Sequence, residues 1–70
     1  MMTIEDLYEQ FEIQGEFHIK VWDDVAEDYV TLAKGSDFGI NKTKIDEEVF
    51  KRNITYMYAT MNDGLNIEVE

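Results

Sequence analysis

Apolar and polar residues alternate one for one along residues 16–23 and again along residues 65–70. In the first run Phe17, Ile19 and Val21 point one way while His18, Lys20 and Trp22 point the other. In the second, Leu65, Ile67 and Val69 alternate with Asn66, Glu68 and Glu70. A period of two is the mark of a half-buried β-strand, because successive side chains of a strand leave opposite faces. Residues 29–34 read the same way, with Val30 and Leu32 on one face and Tyr29, Thr31 and Ala33 on the other. Residues 54–61 are rich in aromatic and β-branched side chains and favour a strand by composition. The acid-rich segment 23–28 joins the first pair of runs and Asn62-Asp63-Gly64 joins the second, so the spacing predicts two antiparallel hairpins.

The second turn sets which side chains share a face. Gly64 suits the left-handed position that closes a three-residue loop with a bulge. In that register Met61 opposes Leu65 and Ala59 opposes Ile67. Met57, Ala59 and Met61 then join the core, while Tyr56 and Tyr58 face away. A two-residue Asp63-Gly64 loop would invert every side chain; the triplet ending in glycine favours the first arrangement.

Helices are expected at two places. Thr3 is a good N-cap, Asp6 stands three residues later as a capping-box variant, and Glu5 and Asp6 favour the positive helix end. Met2 and Leu7 occupy the hydrophobic-staple positions. Ile4, Leu7, Tyr8 and Phe11 then form one apolar stripe, and Gly15 is the expected stop. Glu5, Glu9 and Glu12 lie outside that stripe with no basic neighbour on the helix. Between the hairpins, Gly35-Ser36-Asp37-Phe38-Gly39 reads as a loop. Residues 42–53 read as a short helix or a looser turn, capped by Thr43 or Asp46. Glu47 and Glu48 fall in its first turn, Lys51 and Arg52 in its last, and Ile45, Val49 and Phe50 supply its apolar contacts. The expected fold is therefore α+β: a small four-stranded, mainly antiparallel sheet of two hairpins, with an N-terminal helix on one face.

Charge bounds what such a domain does. Sixteen Asp and Glu face six Lys and Arg, a formal net charge of -10 on 70 residues. That field repels phosphate backbones and anionic lipid, which argues against direct nucleic-acid or membrane binding and for a protein partner with a basic face. The chain is long enough for one domain, 1–70, and buries only about 60% of its unfolded surface; self-association to a homodimer is one way to add core. An apolar fraction of 44%, with four Phe, four Tyr and one Trp, is too rich for a disordered acidic tail. No cysteine is present, no apolar run approaches the ~18 residues of a span, and the first residues lack a signal-peptide pattern. A reducing cytoplasm is the compartment these features favour.

Candidate chemistry is sparse. Asp23, Asp24, Glu27 and Asp28 cluster at one hairpin end, but without the spacing or the glycine of a calcium loop. His18 is the only histidine and Ser36 the only serine, and no motif joins them as base and nucleophile. Asn41-Lys42-Thr43 and Asn53-Ile54-Thr55 match the glycosylation pattern, which is idle in a cytoplasm. No metal-ligand spacing, phosphate-binding loop or nucleotide fingerprint occurs, so no catalytic residue, cofactor or metal is expected. The sheet face carrying Trp22, Tyr29, Tyr56 and Tyr58 is different. Rigid aromatics with polar tips are enriched at binding hot spots, so this face reads either as a contact surface or as the seat of Ile45, Val49 and Phe50. A third reading uses Glu5, Asp6, Glu9, Glu12 and Glu16 as a mimic of a phosphate backbone.

The Val21-Trp22-Asp23 step, residues 46–49, the run Ile54-Thr55-Tyr56-Met57-Tyr58-Ala59 and the closing Leu65-Asn66-Ile67-Glu68-Val69 together resemble small uncharacterised proteins of prophages and conjugative elements of gut Firmicutes. The likeness spans roughly residues 16–70 and implies a bacterial cytoplasm and an accessory role on a mobile element. It assigns no activity and no site residue. The expected function is thus a non-catalytic protein-interaction module, using Trp22, Tyr29, Tyr56 and Tyr58 or the acidic Glu5, Glu9 and Glu12. The alternatives are an acidic nucleic-acid mimic that inhibits a basic binding protein and, less favoured, a small enzyme or ligand-binding domain.

Overall fold

The computed structural model describes residues 1–38 and 45–70. The element order is α1 (Ile4–Gln10), β1 (Ile13–Asp23), β2 (Asp28–Phe38), α2 (Glu47–Phe50), β3 (Ile54–Thr60) and β4 (Gly64–Val69). The fold is α+β, with an N-terminal helix, a mixed but mostly antiparallel four-stranded sheet, and a short helix between the hairpins. The strands lie in the order β2-β1-β4-β3. Each hairpin is antiparallel, and the two meet through β1 and β4, which run parallel with Ile19 opposite Ile67.

The N-terminal cap forms as the sequence requires. Thr3 Oγ1 accepts from the Asp6 amide at 3.2 Å and Asp6 Oδ2 accepts from the Thr3 amide at 3.0 Å, a reciprocal capping box. These bonds favour the ionised carboxylate, so the Thr3 amide first and the Thr3 hydroxyl second hold the Asp6 carboxyl below its ordinary value. The helix ends sooner than expected. It stops at Gln10, Phe11 is already extended and 51% exposed, and Glu12 therefore stands outside the helix. Gly15 is not the stop: it lies inside β1 with φ of +95°, at a shift in register where its amide donates to Asp37 Oδ1 at 3.0 Å. The expected 35–38 loop is likewise strand, since β2 runs on to Phe38. Gly15 is accommodated there because a bulge, like a turn, accepts glycine, whereas Gly35 pairs regularly with Phe17.

Four rings tie the elements together edge to face. Phe17 meets Phe38 at 5.1 Å, Phe38 meets Tyr8 at 5.3 Å, and Tyr8 meets Phe50 at 5.3 Å. Such pairs add about 0.5–1.5 kcal/mol each beyond their buried area. They join β1, the end of β2, α1 and α2 around a core of Ile4, Leu7, Phe17, Ile19, Phe38, Ile45, Val49, Ile67 and Val69. Ile45 and Val49 are buried in that core and Phe50 packs against it, so α2 shares the α1 side of the sheet. Of the two readings of the aromatic face, the one that seats this segment on it is thereby overturned. The helix is one turn long; Lys51 is its C-cap, so Lys51 and Arg52 lie beyond its last turn. They still reach back to Glu47 and Glu48 at 3.5 and 3.6 Å. Gly39, the Asn41-Lys42-Thr43 triplet and the capping candidate Thr43 lie outside the described residues.

The second hairpin keeps the expected faces in a different register. Ala59 opposes Leu65, Met57 opposes Ile67 and Thr60 opposes Gly64, two residues away from the expected pairing. A shift of two preserves alternation, so Tyr56 and Tyr58 still share a face with Glu68 and Asn66. Gly64 has φ of +70°, and a Cβ there would collide with the Glu16 carbonyl, which explains a glycine at the β1–β4 junction. Met57, Ala59 and Met61 do not join the core: Met57 is 48% exposed, Ala59 is exposed and Met61 is wholly so. A seven-residue helix spans about 10 Å, whereas an 11-residue strand spans about 36 Å. The helices cannot cover the whole sheet, and Val30 is left exposed for the same reason.

Candidate functional site

The face of the sheet opposite α1 has no helix on it among the described residues. Its side chains are positioned by all four strands. In β1 and β2, His18 opposes Lys34, Lys20 opposes Thr31 and Trp22 opposes Tyr29. The register shifts by one between Ile19 and Lys20, leaving Leu32 as the extra residue; Ala33 thereby opposes Ile19 and joins the helix-covered side, not the aromatic side as the plain alternation implied. From β4 and β3, Asn66 pairs with Tyr58 and Glu68 with Tyr56. Because β1 and β4 are parallel neighbours, His18 stands beside Asn66 and Lys20 beside Glu68.

Trp22, Tyr29 and Tyr58 are brought together, with Tyr56 at their edge. The Trp22 and Tyr29 rings meet edge to face at 5.2 Å. Lys20 Nζ lies 5.2 Å from the Tyr29 ring centre and 5.3 Å from that of Tyr58, bridging the two hairpins by cation–π attraction. The Tyr29 hydroxyl donates to Glu68 Oε1 at 2.8 Å, and Trp22 Nε1 donates to Asp24 Oδ1 at 2.8 Å. The bond to Glu68 favours the protonated phenol and raises the Tyr29 pKa above its ordinary value, with a small further push from desolvation and from the Glu68 charge. Even so, Trp22, Tyr29, Tyr56 and Tyr58 remain 49%, 41%, 68% and 39% exposed. The set is a half-wet aromatic platform in which Trp22 and Tyr29 are held by their polar tips and Tyr58 by Lys20.

Beside the platform lies an open groove bordered by His18, Lys20, Thr31, Lys34, Asp63 and Asn66. His18 Nδ1 donates to the Asp63 carbonyl at 2.9 Å, so the tautomer with that nitrogen protonated is the one the contact requires. Asn66 is 1% exposed; its amide nitrogen donates to Thr60 Oγ1 at 3.2 Å and more weakly to the Gly64 carbonyl at 3.4 Å, while its Oδ1 is buried without a partner. Thr60 Oγ1 also accepts from the Asp63 amide at 3.1 Å. These bonds lock the β3–β4 turn to the groove wall.

The acidic candidates do not assemble in the same way. Glu5 and Glu9 are exposed on α1, Glu12 follows the helix, and Glu16 is on β1. Asp6, counted with them in the sequence, is occupied by the cap. The hairpin acids are also occupied: Asp23 Oδ1 accepts from the Val25 amide at 2.9 Å, Asp24 holds Trp22, and Asp28 Oδ1 accepts from the Tyr29 amide at 2.7 Å. Among the described residues no group of three or more His, Cys, Asp or Glu is placed to hold a metal ion. No helix of the described residues is long and apolar enough to cross a membrane.

Sequence reasoning did not single out Lys20 and Glu68, and weighed Asp24 only within the hairpin acid cluster, although these three charged groups order the aromatics. Lys20 and Glu68 alternate with core residues as any solvated charge does, and only strand pairing reveals that they meet tyrosines. Comparison with known proteins returned no matching family model, no matching curated protein and no matching solved structure.

Proposed function

We propose that the protein is a non-catalytic protein-interaction module whose contact surface is the Trp22, Tyr29, Tyr56 and Tyr58 face. The observation that carries this reading is that α2 packs with α1, leaving four aromatics exposed on the other side of the sheet, three of them held by specific contacts. Aromatic side chains with a polar tip lose little entropy on contact and gain much area, which makes them the usual anchors of an interface. The charge of -10 acts at longer range, steering a partner with a basic surface. A bacterial cytoplasm and a mobile-element accessory role are the setting we assign to it.

The test is affinity capture from a bacterial lysate with three baits: the native chain, the Trp22→Ala/Tyr58→Ala double variant, and a variant with Glu5 and Glu9 reversed to Lys. A protein retained by the native chain and by the reversed-charge chain, but lost by the aromatic variant, supports the reading. Loss on charge reversal with retention by the aromatic variant would replace it with the nucleic-acid-mimic reading. On the helix that second reading rests on exposed Glu5 and Glu9, since Asp6 is taken by the cap and Glu12 and Glu16 lie beyond the helix.

A further inference from the structure

The free edge of β3 is a second feature that the aromatic face does not explain. One side of β3 pairs with β4. On the other, the N-terminal segment begins a fifth strand and abandons it at once. The Ile54 amide donates to the Met2 carbonyl at 2.8 Å, the Ile4 amide donates to the Arg52 carbonyl at 3.1 Å, and Thr3 forms an antiparallel bridge with Asn53. The chain then turns into α1. Beyond Ile54 this edge has no backbone partner among the described residues.

Natural sheets protect such edges with lysine, proline, inward charges or bulges. The other edge strand, β2, follows that rule with Asp28, Lys34, Asp37 and a register shift at Leu32. β3 does not. Ile54-Thr55-Tyr56-Met57-Tyr58-Ala59-Thr60 contains no charge and no proline, and its single irregularity, between Ile54 and Tyr56, leaves the rest regular. Both flanks of the edge are ready for side chains. On the helix side, Met57 (48% exposed) and Phe11 (51%) border an apolar cleft with Met2, Leu7, Ile13 and Leu65. On the other side stand Tyr56 and Tyr58.

We propose that the β3 edge accepts an extended, basic segment of another protein as a fifth strand. Main-chain bonds to β3 would supply affinity, one alternate set of its side chains would enter the Met57–Phe11 cleft, and the other would lie against the tyrosines. Charge selects this occupant over a second copy. Pairing two copies edge to edge would bring two bodies of charge -10 together, whereas a Lys- or Arg-flanked segment relieves the same charge. Acids wait at both ends of the edge. Asp63 is in the β3–β4 loop, and Glu70 is held beside the start of β3 by Asn53 Nδ2 and Arg52 Nη1, at 3.5 and 3.4 Å.

The experiment uses the full chain and a synthetic peptide, Lys-Arg-Val-Thr-Val-Thr-Val-Thr-Val-Arg-Lys, with two N-methylated versions, one methylated on every Val and one on every Thr. Binding is read by fluorescence anisotropy at low and high salt, with oligomeric state followed by sedimentation. The expected result is salt-sensitive binding by a monomeric chain, weakened at least tenfold by one methylation pattern. Met57→Lys should weaken it at least tenfold with an unchanged circular dichroism spectrum. No binding, or equal binding by all three peptides, would overturn the proposal, the latter because charge alone would explain it. Unchanged binding by Met57→Lys would overturn it too. So would a dimer of the free chain that Met57→Lys dissolves, which makes a second copy the occupant. Trp22→Ala should leave peptide binding intact, so that loss of the aromatic-face reading and loss of this one are told apart.

Discussion

On the helix-covered face of the sheet, Phe17, Ile19, Ile67 and Val69 are 4% exposed or less, whereas on the other face Trp22, Tyr29, Tyr56 and Tyr58 are 39% to 68% exposed. One sheet carries both sets, and β1 contributes to each. The first face has closed the problem of burying apolar area within the chain, through α1, α2 and the ring chain Phe17–Phe38–Tyr8–Phe50. The second holds large apolar rings in fixed places with Lys20, Glu68 and Asp24 and leaves them in water. Ordering without burial adds little to stability, so the two faces should respond differently to substitution.

The largest difference is expected at Phe17. Phe17→Ala should cost about 3–5 kcal/mol, a large share of the total of about 3.5–10 kcal/mol that a chain this short holds at typical per-residue stability. Urea unfolding checks it; a midpoint that scarcely moves would mean that the helix-covered face is not the core. Gly64→Ala comes next. Its left-handed backbone and the collision with the Glu16 carbonyl should cost about 1–3 kcal/mol, and an unperturbed midpoint would show that β1 and β4 do not meet there. Thr3→Ala should cost about 1 kcal/mol through loss of the cap.

Acid unfolding sharpens the same point. Asp6 is held below its ordinary value of 3.8 by the Thr3 bonds, so its contribution is present above that value. It is lost as pH falls through the lower native value. Asp6→Asn should remove this step from an acid titration of the helical signal. Smallest in stability is Trp22→Ala, expected to cost under about 1 kcal/mol while reducing partner capture at least tenfold. If it unfolds the chain instead, the outer face is structural and the contrast between the faces fails. On that same face, Glu68→Gln should bring the raised Tyr29 phenol back toward 10.0, measured by ultraviolet titration.

Much of the architecture was legible in residue order. Thr3 with Asp6 announced the cap, alternation announced β1 and β4, and Asn62-Asp63-Gly64 announced a last turn whose loop is in fact 61–63, with Gly64 the first residue of β4. The grouping of Tyr56 and Tyr58 with Trp22 and Tyr29 was also legible, because a register error of two residues leaves faces unchanged. What failed has a common cause. Gly15 and Gly35 read as punctuation because glycine is common in turns; cross-strand pairing instead puts Gly15 at a bulge and Gly35 in a regular pair with Phe17. Met57 and Ala59 read as core because their alternation is right, but the sheet is wider than the helices that cover it; Met61 falls in the turn, one residue past β3. Ala33 changed face because one extra residue, Leu32, reverses all that follows.

The sequence by itself determined the local structure: a capped helix, two hairpins and the face on which each aromatic stands, all written in periods of a few residues and in steric demands of single positions such as Gly64. Tertiary structure decided the rest: that β1 lies parallel to β4, that α2 joins α1 in place of covering the aromatics, that Lys20 bridges two hairpins, and that β3 is left at an edge. Periodicity states that a residue needs an apolar neighbour but not which one. Residues such as Ile19 and Ile67, 48 positions apart, find each other only when both hairpins bury their apolar faces together.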